Sequence, residues 1–234
     1  MARAYLYLAV FIPLTILFAL SALLWTIVDG SGRAYTIHAR IWARISLALA
    51  GVKVTVTGAE NLPDGPVIFM SNHQSNFDIL VLLAAMPRQI YLIAKKELFE
   101  IPIFGASMRR GGYIPLDRSD GRKALKSMDN AAAIIRSGKS VVMFPEGTRS
   151  RDFQLLPFKR GGFMLAQRAG VPVVPITING SGKINPAGRA RLYAGNITMT
   201  LHPPVLPSPE ASRSEAESSL MAQVHAAISS SLEL

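Results

Sequence analysis

A histidine and an aspartate five positions apart, His73 and Asp78, are the first candidates for catalysis in this chain. In a continuous helix that separation is a rotation of roughly 140°, so the side chains can meet only if His73 lies on a turn and Asp78 in the first turn of the next helix. There the helix dipole favours an ionised carboxylate, which can accept one imidazole N–H and leave the other nitrogen free as a base. The pair predicts proton abstraction from a hydroxyl group, and an ordinary pair on a surface loop is the alternative.

The residues around this pair predict the turn that it needs. An apolar run at residues 67–70 is typical of a buried strand, and a second apolar run opens at Phe77 as a helix. Ser75 or Asn76 can supply the N-cap between them.

The amino-acid composition limits the kinds of partner that the protein is expected to bind and the kinds of reaction that it can catalyse. The chain of 234 residues has 25 basic and 15 acidic side chains, a net charge of +10, which predicts an anionic partner such as phospholipid headgroups, a phosphorylated substrate or nucleic acid. It has no cysteine, which excludes disulfides, zinc–thiolate sites and an acyl-cysteine intermediate. With only four histidines a metal cluster is not expected, and the interpretation requires no cofactor.

The first 50 residues predict a membrane anchor. Residues 4–28 carry no charge, and as a helix they would be about 37 Å long, enough to cross a hydrocarbon core. Pro13 offers an alternative in which a kinked segment enters and leaves one leaflet. Residues 33–49 predict a basic amphipathic helix in the headgroup region, or a helix packed on the next domain. We expect anchoring helices over residues 1–50 and an α/β catalytic domain over residues 51–234.

Strands and helices alternate through the rest of the chain. This pattern predicts an α/β fold with a mixed, largely parallel sheet flanked by helices. Pro175 predicts that the strand at residues 173–178 lies at an edge or a bulge. The last strands are expected at residues 190–193 and 197–201, and an amphipathic helix at residues 214–232.

Three polar loops follow predicted strands, so all three are expected at the carboxyl edge of the sheet. Their sequences are SNHQSNFD, LDRSD and FPEGTRSRD. They supply three cations, Arg118, Arg149 and Arg151, and arginine binds a phosphate through two parallel hydrogen bonds. A phosphorylated alcohol is therefore the expected substrate. Glu146 is expected to hold its loop by pairing with an arginine rather than to take part in the reaction.

Four separated blocks resemble a known family. They are NHQSNFD, which contains the H-x4-D signature; KKEL, IPIFG and GGYIPLDR; FPEGTRS with PFKRGG; and VPVVPITI. Over residues 52–201 the chain resembles the lysophosphatidate acyltransferases of the glycerolipid acyltransferase superfamily.

The resemblance implies a reaction and a location. His73 would act as general base on the 2-hydroxyl of 1-acyl-sn-glycerol 3-phosphate (lysophosphatidic acid), with Asp78 orienting it. The acyl group would come from acyl-CoA or acyl-carrier protein, without an acyl-enzyme, and phosphatidic acid for phospholipid synthesis would be the product. Membrane phospholipids are expected partners and nucleic acid is not. The expected location is the bacterial inner membrane, with the catalytic domain on the cytoplasmic face.

The family also implies substrate-binding residues. Those expected to bind the glycerol phosphate are Arg118, Glu146, Gly147, Thr148 and Arg149, with Lys95 and Lys159 as further candidates. Arg151 lies outside the family motif and is a candidate on its charge alone. An apolar channel for the acyl chain is expected near Ile101, Ile103, Phe104 and Met108, for which core packing is the alternative.

Three other functions remain open at the level of sequence. The acceptor could be another lyso-lipid. The chain could be a membrane-anchored protein that binds anionic lipid or nucleic acid without chemistry. A metal hydrolase would need further ligands near His73 and Asp78, and the sequence offers none at suitable spacing.

Overall fold

The computed structural model describes residues 1–29, 32–117, 121–207 and 212–233. Its helices are α1 (Ala2–Val28), α2 (Arg33–Leu49), α3 (Phe77–Ala85), α4 (Phe104–Arg110), α5 (Gly121–Arg136), α6 (Gly161–Ala169), α7 (Ser181–Ile184) and α8 (Arg213–Ser230). Its strands are β1 (Val52–Thr57), β2 (Ile68–Ser71), β3 (Tyr91–Lys95), β4 (Ile114–Leu116), β5 (Val141–Met143), β6 (Val173–Asn179) and β7 (Gly195–Leu201). Short 3₁₀ turns lie at Ala59–Asn61 and Lys96–Glu100.

The described strands form a seven-stranded sheet in the order β1-β7-β6-β2-β5-β3-β4. The five strands from β6 to β4 run parallel to one another, β7 is antiparallel to β6, and β1 is parallel to β7. The predicted mixed, largely parallel sheet is therefore confirmed. Because parallel strands end on the same side, the loops that follow β2, β3, β5 and β6 all open at one edge.

Burial along the strands follows their position in the sheet. Every residue of β2, β5 and β6 is buried, as expected for parallel strands covered on both faces. In β1, at the edge, burial alternates between successive residues. The continuous apolar run before His73 thus becomes the central strand, β2, which holds the histidine loop at the middle of the sheet.

Pro175 lies in an interior strand, so the expectation of an edge or a bulge is wrong. Its carbonyl accepts a hydrogen bond from the His202 N–H at 3.0 Å. The N–H that proline lacks would point to the same side, next to the Ile176–Leu201 pair at which the antiparallel ladder ends. On the other side the register with β2 is continuous. The N–H that Pro175 lacks is therefore missing only at the end of the ladder between β6 and β7.

The expected strand at residues 190–193 is also wrong, because these residues form part of the loop between α7 and β7. The Asn185 side chain donates to the Arg191 carbonyl at 2.9 Å, and the Tyr193 N–H donates to the Ile184 carbonyl at 2.9 Å. These bonds fold the segment back on its own loop, so it does not extend the sheet.

The first helix is a candidate membrane segment. In α1 the mean hydropathy reaches 2.4, and little of the helix is buried. It packs antiparallel to α2 through bonds from Arg3 to the Ala50 carbonyl (2.7 Å) and from Trp42 to Thr15 (3.0 Å). Exposed apolar side chains of α1 continue onto α2 at Ile37, Ile41 and Ile45. The division into an anchor and a catalytic domain stays a prediction.

The helices α5 and α8 pack on strands of the sheet, α5 on β4 and α8 on β6, and α6 packs against both helices. As expected for the tail, α8 presents an apolar stripe, with Leu220, Val224 and Ile228 fully buried. Ser212 and Glu215 form a reciprocal capping box at its first turn. The helix therefore belongs to the core of the domain.

Candidate active site

The turn that carries His73 begins with Asn72, which follows β2. The Asn72 side chain donates to the Ile178 carbonyl (2.9 Å) and accepts from the Ile178 N–H (2.8 Å). These two bonds continue the pairing between β2 and β6 by one position after the backbone has left the sheet. Asn72 therefore determines where the chain turns. Sequence reasoning did not single it out, although a buried amide directly before a candidate base was a usable signal.

His73 and Asp78 meet as predicted. The His73 Nδ1 lies 2.8 Å from the Asp78 Oδ2, and the two side chains are 14% and 1% exposed. The same oxygen accepts the N–H groups of Gln74 and Ser75, each at 2.8 Å. Three N–H donors on one oxygen suit a carboxylate anion. With Nδ1–H donated to Asp78, the lone pair of Nε2 is available to accept a proton.

Ser75 and Asn76, the two candidate N-caps, have different roles. Ser75 Oγ accepts the Phe77 N–H at 3.2 Å and donates to the Asn185 carbonyl at 2.9 Å. Asn76 makes no side-chain cap bond. Its Oδ1 instead accepts from Arg149 at 2.9 Å. Ser75 is thus the cap, and Asn76 brings an arginine of the third loop to the histidine turn.

Phe144, which follows β5, fixes the plane of the imidazole. Its ring stacks on His73 with the centroids 3.8 Å apart and an interplanar angle of 14°. Because Phe144 covers a face of the imidazole, His73 makes its polar contacts through the nitrogen atoms at the ring edge. Phe144 was missed by sequence reasoning because it reads as one more apolar residue of the strand.

Glu146 is buried beside the pair and binds backbone, so the expected pairing with an arginine is wrong. Its Oε1 accepts the His73 N–H at 2.6 Å, and its Oε2 accepts the Leu156 N–H at 2.9 Å. The side chain thereby joins the loop after β5 to the histidine turn. Burial raises the pKa of Glu146 from 4.5 to about 7, the two N–H bonds lower it in part, and the charge of Asp78 raises it further.

The raised pKa of Glu146 predicts a dependence of stability on pH. The folded state binds this proton more tightly than the unfolded chain does. The free energy of unfolding should therefore fall as the pH rises from about 4.5 to about 7. Glu146→Gln should remove this contribution to the slope, although it also leaves one N–H without its acceptor. Chemical denaturation at several pH values in that window, in detergent, measures the difference.

The same substitution at exposed Glu60 is the control, since it removes a carboxylate without removing a buried one. Glu60→Gln should keep the wild-type slope. Equal slopes in Glu146→Gln and the wild type would contradict this account of the carboxylate.

The predicted cations lie on two sides of the Glu146 loop. Arg149 binds Asn76, as described above. Lys159 lies over Gly147, whose φ is +70° and whose missing Cβ would be 3.0 Å from the lysine Nζ. The positive φ favours a glycine there, and a side chain at this position would also displace the lysine.

The other predicted binding residues are less closely connected to the histidine. Thr148 is exposed on the loop after β5, and Lys95 is exposed at the carboxyl end of β3, at the same edge of the sheet as His73. Arg118 lies outside the described residues. Arg151 is exposed and lines a separate pocket with Arg189. The binding roles of all these residues stay predictions.

Apolar cavities lie between the N-terminal helices and α4. One, of about 100 Å³, is lined by residues that include Phe104 and Met108. Its neighbour, of about 380 Å³, is lined by Ile101, Ile103 and Phe104 together with residues of α1. All four residues expected at an acyl channel therefore line cavities. Ile79 and Leu83 of α3 line the first one, which places it next to the helix that carries Asp78.

Comparison with known protein families gives a match over most of the sheet. The family model described as Acyltransferase matches residues 53–179. A crystal structure of the 1-acyl-sn-glycerophosphate (LPA) acyltransferase PlsC from Thermotoga maritima is similar to this structure, with a TM-score of 0.81 and 27% sequence identity. That match covers 97% of this chain and 94% of that one.

Sequence relatives carry similar names. The chloroplastic 1-acyl-sn-glycerol-3-phosphate acyltransferase LPAT1 of Arabidopsis thaliana is 42% identical over 170 residues, which are 71% of this chain and 47% of the relative. The 1-acyl-sn-glycerol-3-phosphate acyltransferase of Pseudomonas aeruginosa is 34% identical over 181 residues, which are 75% of this chain and 70% of the relative. The match spans about half the length of the chloroplast relatives.

Proposed function

The chain belongs to the acyltransferase family, as its four sequence blocks indicated, and we propose that it acylates the 2-hydroxyl of 1-acyl-sn-glycerol 3-phosphate to give phosphatidic acid. The observation that carries the proposal is the hydrogen bond between His73 and Asp78 at the carboxyl edge of the sheet. The names of the relatives support this acceptor, and the arginine and lysine beside the pair suit its phosphate.

In the proposed mechanism His73 is the general base. Its Nε2 takes the proton of the 2-hydroxyl while that oxygen attacks the carbonyl carbon of the acyl thioester. The C–S bond then breaks, and the proton on His73 passes to the departing thiolate, so the base is restored. Asp78 keeps the proton on Nδ1 and stabilises the imidazolium. The acyl group moves directly between substrates, in keeping with a chain that has no cysteine.

Charge at the site supports binding of the acceptor's phosphate beside the histidine. Arg149 is tied to Asn76, three residues after His73. Lys159 covers Gly147 on the loop that Glu146 joins to the histidine turn. Glu146 itself uses both oxygens on backbone N–H groups, so we assign it to positioning of the loop. Arg118 and Lys95 remain candidates through the family motif.

The N-terminal helices suit an acceptor that stays in a bilayer. Exposed apolar side chains of α1 and α2 offer a surface for lipid, and the cavities beside α4 offer apolar space for an acyl chain. We place the protein at the bacterial inner membrane, with the catalytic domain on the cytoplasmic face. Basic residues after the apolar segment support this orientation.

An acceptor panel tests the proposed function. Purified protein is given labelled acyl-CoA with lysophosphatidic acid, lysophosphatidylcholine or glycerol 3-phosphate in parallel reactions. Lysophosphatidic acid should be the best acceptor. Arg149→Gln should raise the KM for it roughly 10- to 100-fold, because one charge-assisted contact is lost. Faster transfer to glycerol 3-phosphate or to lysophosphatidylcholine would show that the acceptor is wrong.

A further inference from the structure

We propose that a pocket between the loops after β5 and β6 binds the phosphate-bearing nucleotide end of an acyl-CoA donor. The pocket measures about 380 Å³ and is lined by Arg151, Phe153, Pro186, Ala187, Gly188 and Arg189. We call it the basic pocket. The inference rests on the proposed function, since it identifies the donor for that reaction.

The basic pocket is tied to the turn that carries the base. Gln74 Nε2 donates to the Phe153 carbonyl at 3.0 Å, and Ser75 Oγ donates to the Asn185 carbonyl at 2.9 Å. The Ser150 N–H, directly before Arg151, donates to the His73 carbonyl at 2.8 Å. Both loops that form the pocket are therefore hydrogen-bonded to His73 or to the two residues that follow it.

The residues that line the basic pocket include two arginines and no carboxylate, so its lining is positively charged. Between Asp152 and Glu210 the sequence has no acidic residue. Within the described parts of the chain, neither the Arg151 nor the Arg189 guanidinium has a hydrogen-bond or ion-pair partner. The adjacent Asp152 carboxylate accepts hydrogen bonds from Ser150 Oγ at 2.9 Å and the Gln154 N–H at 3.3 Å, and in the described structure it forms no ion pair with either arginine. Two free guanidinium groups lining one concavity suit phosphate oxygens.

The backbone of the basic pocket has a positive φ at Phe153 and at Gly188, and the conformation of Phe153 is strained. Phe153 has a φ of +66°, which is unfavourable for a bulky side chain, and such strain persists only where its surroundings enforce it. Its ring packs against Gly182, where a Cβ would be 2.6 Å from the ring. Opposite, the Arg189 N–H donates to the Pro186 carbonyl at 3.2 Å, in a turn with Gly188 at a φ of +74°. The pocket is thus shaped in advance, with an aromatic side chain in its wall.

The chemistry of the two substrates favours the donor for this pocket. In the acceptor, the phosphate is attached to the carbon next to the one that bears the reacting hydroxyl. It therefore has to lie beside His73, where Arg149 and Lys159 are. In CoA the nucleotide phosphates lie at the far end of the pantetheine arm from the thioester. A concave pocket lined by two guanidinium groups fits a compact nucleotide better than it fits the surface of a carrier protein.

Direct binding tests the inference without catalysis. Adenosine 3′,5′-bisphosphate is titrated calorimetrically into the full chain in detergent. The wild type should bind it, and Arg151→Gln and Arg189→Gln should each weaken binding roughly 10- to 100-fold. Arg191→Gln is the matched control, because Arg191 is exposed on the same loop but does not line the pocket. Equal effects of all three substitutions, or no binding by the wild type, would overturn the inference.

Kinetics separate this inference from the proposed function. Arg151→Gln and Arg189→Gln should raise the KM for acyl-CoA by a similar factor and leave kcat and the KM for lysophosphatidic acid unchanged. If the wild type transfers no acyl group, the proposed function is wrong, whether or not adenosine 3′,5′-bisphosphate binds. A raised KM for acyl-carrier protein, with that for acyl-CoA unchanged, would assign the pocket to the carrier protein and overturn the nucleotide site.

Discussion

Replacing His73 with alanine should lower kcat for acylation of lysophosphatidic acid by roughly 10²- to 10⁴-fold, the usual contribution of a positioned general base. The Asp78 carboxylate is held by backbone N–H groups as well as by the imidazole, so the turn keeps two of its three bonds. Binding to vesicles that contain anionic lipid should therefore persist in the variant. Steady-state rates and vesicle sedimentation measure the two properties on the same preparation.

His225→Ala is the control for this experiment. His225 is an exposed histidine of α8, whose ring lies 5.1 Å from that of Phe158 and makes no contact with His73 in the described structure. It should keep wild-type kcat. Full activity of His73→Ala would reject the catalytic interpretation and favour a membrane-anchored protein that binds anionic lipid.

Asp78→Asn should lower kcat by a similar factor while the protein stays folded. If the amide NH₂ takes the place of Oδ2, it donates to His73 Nδ1, and the imidazole proton then moves to Nε2, where it blocks the base. If the amide oxygen stays in place, the NH₂ occupies the position of Oδ1, which is buried and has no partner in the described structure. The first arrangement abolishes the function of the base and leaves the Gln74 and Ser75 N–H groups without an acceptor. The second replaces the anion that stabilises the imidazolium with a neutral oxygen and leaves a buried donor unpaired.

Asp78→Ala separates orientation from stability. It leaves His73 Nδ1 and the N–H groups of Gln74 and Ser75 without an acceptor, at a cost of about 1–3 kcal/mol for each donor that stays buried. Its Tm should therefore fall well below that of Asp78→Asn. Thermal unfolding and pH–rate profiles of both variants give the comparison. Asp64→Asn, at an exposed aspartate, should match the wild type in both measurements, and wild-type activity in Asp78→Asn would refute the orienting role.

The local features of the site could be predicted because they depend on neighbours in the chain. His73 and Asp78 are five positions apart, and the change from an apolar strand to a polar turn and then a helix leaves few conformations in which they meet. The parallel character of the sheet follows from the alternation of strands and helices in the same way. Pro175 misled the prediction because its effect depends on which side of the strand its missing N–H would face.

The rest of the site depends on the order of the strands, and the pattern of apolar residues does not encode that order. Glu146 and His73 are 73 positions apart, and their bond exists because β5 lies beside β2. The same adjacency brings the Phe144 ring onto the imidazole. Arg151 and Arg189 share a pocket because β6 lies on the other side of β2.

The amino-acid sequence alone was therefore sufficient for the fold class, the family and the two residues proposed for proton transfer. Folding in three dimensions was needed to identify what holds those residues in place: the amide of Asn72, the ring of Phe144 and the buried carboxylate of Glu146. Periodicity and spacing act over a few residues, whereas packing of the strands brings together groups that are far apart in the chain.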